Sequence, residues 1–504
     1  MKSKLGLLLL AFTLSGFGVS HAQNLKEFEK KVTKFTLDNG LRVIVIERHD
    51  APVASFLTYV NAGSVDEPIG KSGIAHIFEH MAFKGSTYIG TKDATKEAYW
   101  LDQTEDLYKK WLNEKSQAIV DSAKMNAYWA EFKAAQDSAK QFVVNNEFSQ
   151  IIDREGGVGL NASTGSDQTM YYYSLPSNKA ELWFNLEAER FKDPVFREFF
   201  VEKDVVKEER RMRTDSSPIG RLIEEFLAVA FTSHPYGVSG IGWPSDIEST
   251  TVEDAKEFFK TFYVPSNLVI AVAGDVYPDQ IKKLAQTYFG DIPAGNHVPK
   301  VMTKETKQRG ERRFVMEENT QPWYLQGYHT VGFNHNDSKA LDLMSSILSG
   351  GRTSRLYKTM VEEKQLALTV GAFNGFPGDR FSPLFLTYAI PNQGVELTQI
   401  EDVIAEEIEK VKNGNIKEEE LVRAKTNARA SKIRSLGSNM NLAISLATAE
   451  IRYGDWRAFI KETDELQAVT LADIQRVAQT YLIKSNRTVG IIHKPAATET
   501  AEAK

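Results

Sequence analysis

The sequence contains no cysteine, which excludes disulfide bridges and thiolate metal ligands. A metal site in this chain must therefore be built from histidine and carboxylate side chains. Basic residues are not in excess either. The 61 Lys and Arg are outnumbered by 67 Asp and Glu, a formal charge of −6 that argues against nucleic acid as a partner. Beyond residue 22 no apolar run approaches the ~20 residues of a membrane-spanning helix, so we expect no membrane span in a soluble mature chain.

The N-terminal residues differ in composition from the rest of the chain. Lys2 and Lys4 precede an apolar stretch at 5–19, and Ser-His-Ala follows at 20–22. A positive start, a short apolar segment and a small-residue cleavage site are typical of a secretory signal peptide. We therefore predict that residues 1–22 are a signal peptide. An uncleaved amphipathic anchor is the alternative interpretation.

An internal repeat predicts two related halves. Residues 251–267 (TVEDAKEFFKTFYVPSN) align without a gap to residues 470–486 (TLADIQRVAQTYLIKSN), and each copy leads into a β-branched segment. Common Thr-x-x-Asp helix starts account for two of the shared positions, but not for all five. A helix followed by a strand at the end of each half predicts a duplicated α/β domain, and therefore an α+β chain.

Composition and local pattern divide the chain into segments. Residues 92–150 are rich in Lys, Glu, Ala and Gln and are typical of long helices, and two further helices are predicted at 181–191 and 199–213. Residues 291–313 are polar and include two prolines, as expected of a linker. The predicted organisation is a signal peptide at 1–22, a catalytic domain at 30–290 with a helical insert at about 92–150, a linker at 291–313, a second domain at 314–495 and a tail at 496–504.

Residues 72–85 read SGIAHIFEHMAFKG and carry the strongest chemical signal. On a helix, the apolar residues at 74, 77, 78 and 81 form one stripe, and His76, Glu79 and His80 lie on the opposite side. The i, i+4 spacing lets the two imidazoles converge on one ion. Zinc suits two histidines with a carboxylate, and Glu79 is placed to take a proton from an activated water. An amphipathic helix with a solvated polar face is the simpler alternative.

A third ligand must come from another element. Glu202 and Glu209 are seven residues apart, which places them on one face of a helix. One of them could bind metal while the other holds a ligand or a water in place. Glu187, Glu189 and Glu208 compete for the same role, and spacing alone does not choose among these acids.

Five segments together resemble the insulinase/pitrilysin peptidases, within them the shorter branch that includes mitochondrial processing peptidase. They are GIAHIFEHMAFKGS, GVGLNASTGSDQTMYYYSLP, NLEAERF, VVKEERR and SGGRTSRLY. The resemblance implies one Zn²⁺ per chain, with Glu209 as third ligand and Glu202 as the acid that supports the ligands from outside. It also implies two homologous domains, each a mostly antiparallel sheet with helices on one face, which together form half of a clamshell chamber.

The same resemblance assigns residues 159–162 to an edge strand beside the metal. An extended peptide could add to this edge through its main chain, with Asn161 and Ala162 in contact with the substrate. The interval from His80 to Glu209 is much longer than in the family, and the insert at 92–150 accounts for the excess.

One departure from the family concerns the second half. The family places an Arg, and seven residues later a Tyr, where this chain has Val361 and Leu368. Neither side chain can donate a hydrogen bond to an oxyanion. The resemblance implies a chamber built from two chains, so we expect a dimer, either a homodimer or a heterodimer with a paralogue that supplies Arg and Tyr.

These features predict an exported zinc metalloendopeptidase that hydrolyses peptides or unfolded polypeptides in the periplasm of a Gram-negative bacterium. Water would be activated by zinc and Glu79. A non-catalytic assembly or peptide-binding subunit is the first alternative. A zinc hydrolase that acts on non-peptide substrates is the second.

Overall fold

Two β-sheets, each covered by helices, make up the part of the chain that the computed structural model describes, residues 27–495. The predicted signal peptide at 1–22 and the predicted tail at 496–504 lie outside the described residues. Within residues 27–495, no helix combines the length and the apolar character that a bilayer crossing requires.

The first half contains one six-stranded sheet and the three helices of the predicted insert. Residues 290–311 follow this half without forming a helix or a strand. In chain order its elements are β1 (Val32–Thr36), β2 (Arg42–Glu47), β3 (Val53–Val60), α1 (Ile74–Met81), α2 (Ala94–Lys115), α3 (Ser122–Lys140), α4 (Glu147–Arg154), β4 (Val158–Thr164), β5 (Thr169–Pro176), α5 (Ala180–Lys192), α6 (Phe199–Arg210), α7 (Pro218–Ala230), α8 (Pro244–Ser249), α9 (Val252–Phe262), β6 (Leu268–Gly274) and α10 (Pro278–Phe289).

The second half contains a five-stranded sheet. Its elements are β7 (Arg312–Glu317), β8 (Trp323–His329), α11 (Ser338–Ser349), β9 (Ala367–Phe376), β10 (Leu384–Pro391), α12 (Leu397–Lys412), α13 (Glu418–Ser435), α14 (Asn439–Tyr453), α15 (Ala458–Ala468), α16 (Leu471–Tyr481) and β11 (Arg487–His493). Segments of π-helix occur at Arg211–Asp215 and Tyr357–Glu363.

Strand order shows that the two sheets are copies of one plan. The first has the order β1-β2-β6-β3-β5-β4, and the second has the order β7-β11-β8-β10-β9. The last strand of each half, β6 or β11, lies inside its sheet, parallel to one neighbour and antiparallel to the other. All other pairs are antiparallel, so the prediction of two homologous, mostly antiparallel α/β domains is confirmed.

The repeated sequence at the end of each half has a structural reason. Helices α9 and α16 both begin with a Thr-x-x-Asp capping box. At their ends, the side-chain amides of Asn267 and Asn486 donate to the carbonyls of Phe262 and Tyr481, each at 2.9 Å. Each amide also donates to a carbonyl at or just after the end of a strand in the same half. Both asparagines therefore fix the turn from helix to central strand.

One helix of each half packs on the sheet of the other half. Helix α14 packs on the face of the first sheet, where Leu442 and Leu446 join a buried cluster with Leu57. Helix α7 packs on the second sheet, where Phe226 lies over Gly327. A Cβ at Gly327 would lie 3.0 Å from the Phe226 ring, tighter than ordinary van der Waals contact, so a larger residue here would force the ring to shift. The exchange closes the sheet faces that the halves' own helices leave uncovered.

A buried polar contact joins the halves between the two sheets. Arg380 of the second half donates to Asp66 of the first at 2.6 Å. Asp167 accepts the backbone N–H groups of Asp379 and Arg380, at 2.8 and 3.0 Å, and the hydroxyl of Tyr236 at 2.6 Å. Burial of these carboxylates is tolerated because each receives several hydrogen bonds.

The insert packs on the first half through aromatic side chains and an ion pair. Helices α2 and α3 form an antiparallel pair in which the rings of Tyr108 and Phe132 pack against each other at a tilt, and both contact the ring of Phe200 of α6. At the start of α2, Glu97 forms a fully buried ion pair with Arg197, with Nε–Oε1 at 2.6 Å. Aromatic packing and this ion pair thus fix the insert to the loop before α6.

The helix exchange predicts a cross-half effect on stability. Leu446→Ala, which removes a buried side chain, should lower the free energy of unfolding by about 2–5 kcal/mol. The lost packing lies on the first sheet, so native-state hydrogen exchange should show the largest loss of protection in β3 and β6. The matched control Leu368→Ala, at a 61% exposed position, should change stability by less than about 0.5 kcal/mol. Loss of protection confined to β8 and β11 would contradict the assignment.

Candidate metal centre and substrate strand

The structure brings His76, His80 and Glu209 together between α1 and α6. Each imidazole directs Nε2 at the same Glu209 oxygen, Oε2, at 3.6 Å. The three ligand atoms lie within 4.8 Å of one another, the one such group of metal-binding side chains in residues 27–495. A separation of 3.6 Å is too long for a hydrogen bond, so the three groups surround a point without bonding directly to each other.

Burial of one side of α1 orients the two histidines. Ile74, Ile77, Phe78 and Met81 are all buried, as the apolar stripe predicts. The N-terminal end of the helix is held by Glu67, whose two oxygens accept the N–H groups of residues 73 and 75, each at 2.9 Å. The opposite face of α1 is consequently directed toward α6.

Glu202 and Glu209 lie on one face of α6 and reach different atoms of the site. Glu202 Oε2 lies 3.0 Å from His80 Nδ1, so Nδ1–H donates and the Nε2 lone pair faces the cluster. This contact also raises the pKa of His80. Lys84 bridges Glu202 and Glu198 at 2.6 and 2.9 Å. A chain of alternating charges therefore extends outward from His80.

His76 is held neutral by its surroundings. Burial lowers the pKa of His76 to about 4, which leaves the imidazole unprotonated near neutral pH and free to bind a cation. Glu209 has its second oxygen occupied, because Oε1 pairs with Arg213 at 2.7 Å. Arg213 belongs to the π-helical segment that follows α6. One carboxylate oxygen thus remains directed at the histidines.

The donor set fits zinc. Two imidazole nitrogens and one carboxylate oxygen are typical zinc ligands and leave a fourth position open. Tetrahedral bonds of ~2.1 Å place ligand atoms roughly 3.4 Å apart, close to the 3.6 Å from each Nε2 to Glu209. His76, His80 and Glu209 are the side chains that would hold the ion.

Glu79 lies between the cluster and strand β4. It is half-buried on α1, one turn after His76. Burial raises the pKa of the Glu79 carboxyl, and its interactions with Thr164 and His80 oppose that rise. A carboxyl of elevated pKa beside a metal-binding cluster is suited to accept and return a proton.

Strand β4 is an edge of the first sheet and adjoins the cluster. It pairs only with β5, and its register shifts between Val158 and Asn161. Asn161 is exposed and Ala162 is buried. Both residues border a cavity of about 320 Å³ that Glu79 and His80 also line. The strand therefore presents unpaired main-chain groups next to the candidate site.

The competing acids lie elsewhere. Glu187 is fully buried and forms an ion pair with Arg190 while accepting the Thr58 hydroxyl. Glu208 is exposed and pairs with Arg211. Glu189 is half-buried on α5 and is outside the cluster. Helical periodicity alone could not exclude these residues, because which acid reaches the two histidines depends on how the helices that carry the acids approach α1.

Some neighbours of the site were missed by sequence reasoning. Lys84 and Glu198 each lie four residues from a site residue, His80 and Glu202, but Lys84 follows the end of α1 and Glu198 precedes α6, so helical spacing did not indicate them. Thr164 follows Ala162 at the two-residue spacing of one strand face. The contacts between the insert and the site were not predictable, because no local pattern in the sequence indicates them.

The positions that lack the family's donors are on the second sheet and beside it. Val361 belongs to the π-helical segment Tyr357–Glu363 and packs against the core of the second half. Leu368 lies on β9, an edge strand, and is 61% exposed. Both side chains are hydrocarbons, at the positions where the sequence resemblance places the family's Arg and Tyr.

Comparison with known proteins identifies the family. Residues 42–98 and 134–241 match the model described as Insulinase (Peptidase family M16), and residues 249–428 match the Peptidase M16 inactive domain. The first match omits residues 99–133, which lie in α2, α3 and the loop between them. The chain belongs to the insulinase family of peptidases, family M16.

Bacterial relatives support this assignment over nearly the whole chain. The chain is 30% identical to the zinc protease PqqE of Helicobacter pylori, over 94% of this chain and 95% of that protein. It is 23% identical to the uncharacterized zinc protease YmxG of Bacillus subtilis, over 89% and 95%. A crystal structure of a Helicobacter pylori protease superposes with a TM-score of 0.76 at 28% identity, covering 92% of this chain and 99% of the other. The fold and the relatives' names define a bacterial peptidase.

The geometry predicts which acid controls metal content. His76→Ala or His80→Ala removes one of three donors and should abolish stoichiometric zinc. Glu209→Gln replaces the anionic ligand with a neutral amide and should weaken zinc affinity severely. Glu202→Gln should weaken zinc affinity by about 10–100-fold, because it only supports His80. Elemental analysis and a chelator competition titration would measure both.

Glu208→Gln is the matched control, since Glu208 is exposed on the same helix. It should leave zinc content unchanged. If Glu208→Gln lost zinc while Glu209→Gln retained it, the ligand assignment would be off by one residue.

Proposed function

We propose that this peptidase is a zinc metalloendopeptidase that hydrolyses peptides or unfolded polypeptides. The grouping of His76, His80 and Glu209, with Glu79 beside it, is the observation that carries the proposal. Zinc held by these residues would supply Lewis-acid chemistry, lowering the pKa of water and polarising a substrate carbonyl. The donor set and the zinc protease names of the relatives support this metal.

Glu79 acts as general base and then as general acid. It takes the proton of the attacking water and delivers it to the leaving amine, which keeps the proton balance within one side chain. Its raised pKa suits both steps, because the carboxyl accepts a proton more readily than an exposed glutamate would. Glu202 fixes the ring of His80 during this cycle.

Substrate binding follows from the exposed edge of β4. An extended peptide can pair with this edge through its main chain, and Asn161 can bind a substrate carbonyl through its amide. Backbone pairing requires an unfolded segment, so folded proteins would be poor substrates. Ala162, which has a small side chain, leaves room for the peptide beside Glu79.

The chain works, in this proposal, as an exported protein in the periplasm and as a dimer. The N-terminal sequence supports export. Val361 and Leu368 cannot stabilise an oxyanion, which supports a second chain as the source of those donors. A paralogue with Arg and Tyr would supply them in a mixed dimer, and a homodimer would lack them.

Glu79→Gln separates catalysis from metal binding. The variant should retain zinc, because Glu79 is not a ligand, and should lose about 10²–10⁴-fold in peptide hydrolysis. Zinc content and cleavage of a quenched fluorescent peptide measure the two properties. Glu189→Gln, half-buried on α5 and outside the cluster, is the control and should change neither. Loss of zinc in a folded Glu79→Gln protein would reassign Glu79 as a ligand.

The missing donors predict a slow peptidase when the chain is alone. Loss of one oxyanion donor typically costs about 10²–10³ in rate, and adding the paralogue should recover a factor of this size. Cleavage rates before and after mixing, with light scattering to follow dimer formation, test this expectation. A paralogue carrying Phe in place of the Tyr is the control. A rate that the paralogue leaves unchanged would refute the partner.

A further inference from the structure

A buried arginine connects the end of α6 to the start of α1. Arg210 follows Glu209 directly in the chain, and its side chain is buried. Its Nη1 donates to the carbonyl of Gly242 at 2.7 Å. Gly242 belongs to the loop between α7 and α8, and this loop lies against the first residues of α1. Through the loop, Arg210 joins the helix that carries Glu209 to the helix that carries the two histidines.

The loop and the start of α1 are in close backbone contact. A Cβ at Gly242 would lie 2.4 Å from the carbonyl oxygen of Ser72, and a Cβ at Gly73 would lie 2.7 Å from that of Ile241. Both glycines have positive φ, 86° and 89°. The N–H of Trp243 donates to the Ser72 hydroxyl at 2.9 Å. Because Gly73 is the N-cap of α1, this loop and α1 can move only together.

The same guanidinium is held on its other side by α7. Nη1 and Nη2 of Arg210 donate to the two oxygens of Glu224 at 2.6 and 2.9 Å, a bidentate pair that fixes both distance and direction. Asp215, at 3.4 Å, is a more exposed second anion. Glu224 lies two residues before Phe226, which packs on the sheet of the second half. The second half therefore helps to set where Arg210 lies.

The candidate ligands depend on the separation of two helices. His76 and His80 come from α1, whereas Glu209 comes from the last turn of α6. Near the other end of α6, Glu202 contacts His80 at 3.0 Å. The chain after Arg210 is π-helical, so no regular helix continues beyond Glu209 to hold it in place. Metal ligands must be placed to within a few tenths of an ångström, and Arg210 is the adjacent fixed point.

We propose that Arg210 is a positioning residue of the metal centre, which keeps Glu209 facing His76 and His80 by fixing the end of α6. It touches neither the ion nor the substrate. Since Glu224 lies on the helix that packs on the second sheet, zinc affinity depends on the second half, although all three proposed ligands lie in the first. This inference rests on the proposed zinc centre.

Removal of the whole ion pair tests the proposal. Loss of one member alone would leave a buried unpaired charge, whereas apolar replacement of both members is often tolerated. In the variant Arg210→Met with Glu224→Leu, zinc affinity should fall about 10–100-fold, measured by chelator competition. Co²⁺ bound in place of zinc should show a changed visible absorption spectrum, because the spectrum reports ligand geometry. Arg210→Lys, which keeps the charge but not the fork of donors, is a second variant with the same expected direction.

The matched control is Arg355→Met with Glu420→Leu. Arg355 makes the same bidentate pair with Glu420, at 2.7 Å for both bonds, and also donates to a backbone carbonyl, but it lies in the second half and outside the cluster. This control should keep zinc affinity within about twofold and leave the Co²⁺ spectrum unchanged.

Two results would overturn the role of Arg210 and leave the zinc proposal standing. One is wild-type zinc affinity and an unchanged Co²⁺ spectrum in the Arg210 variants. The other is an equal loss of affinity in the control, which would show that any lost buried ion pair has this effect. A wild-type chain that binds neither Zn²⁺ nor Co²⁺ stoichiometrically would overturn both proposals.

Discussion

The orientation of one eight-residue helix determines the geometry of the candidate metal centre. Two turns of helix are too short to be stable alone, so α1 exists because its apolar side is buried and its N-terminal N–H groups are satisfied. Phe78 is central to that burial, because the centroid of its ring lies 4.3 Å from the centroid of the Tyr263 ring. Because the apolar side cannot rotate toward solvent, His76 and His80 face α6. The position of the metal-binding atoms is therefore a consequence of hydrophobic packing.

Electrostatic interactions then set the pKa values of side chains that hydrophobic packing has positioned. His76 and His80 are four residues apart on one helix, yet their pKa values shift in opposite directions, because burial dominates for His76 and the contact with Glu202 dominates for His80. Lys84 offsets part of the negative charge that Glu202 and Glu198 bring to the same region. The carboxylates around the cluster are paired with cations on its outer side. The two imidazole nitrogens and one Glu209 oxygen therefore remain as the donors that a metal needs.

Patterns in the sequence predicted those features of the structure that are set by residues close together in the chain. The stripe on α1 and the shared face of Glu202 and Glu209 follow from helix spacing, and the repeat ending in Asn267 and Asn486 follows from aligning two segments of the chain. The structure contains all three features. The exchange of α7 and α14 between the halves has no such spacing, because both helices are amphipathic whichever sheet they cover. The insert's place beside the cavity was not predictable for the same reason: Val144 meets the site through tertiary packing.

The exchange of helices also has a consequence during synthesis. The first sheet is complete once β6 has been made, but α14, which covers one of its faces, follows about 165 residues later. At elongation rates of ~5–20 residues per second, the sheet face that carries Ile44, Leu57 and Val269 stays uncovered for roughly 10–30 s until α14 has been synthesised. A nascent chain with such a face exposed is prone to aggregate, so this fold demands either protection by a chaperone or folding that begins only after the C-terminal helices have left the ribosome.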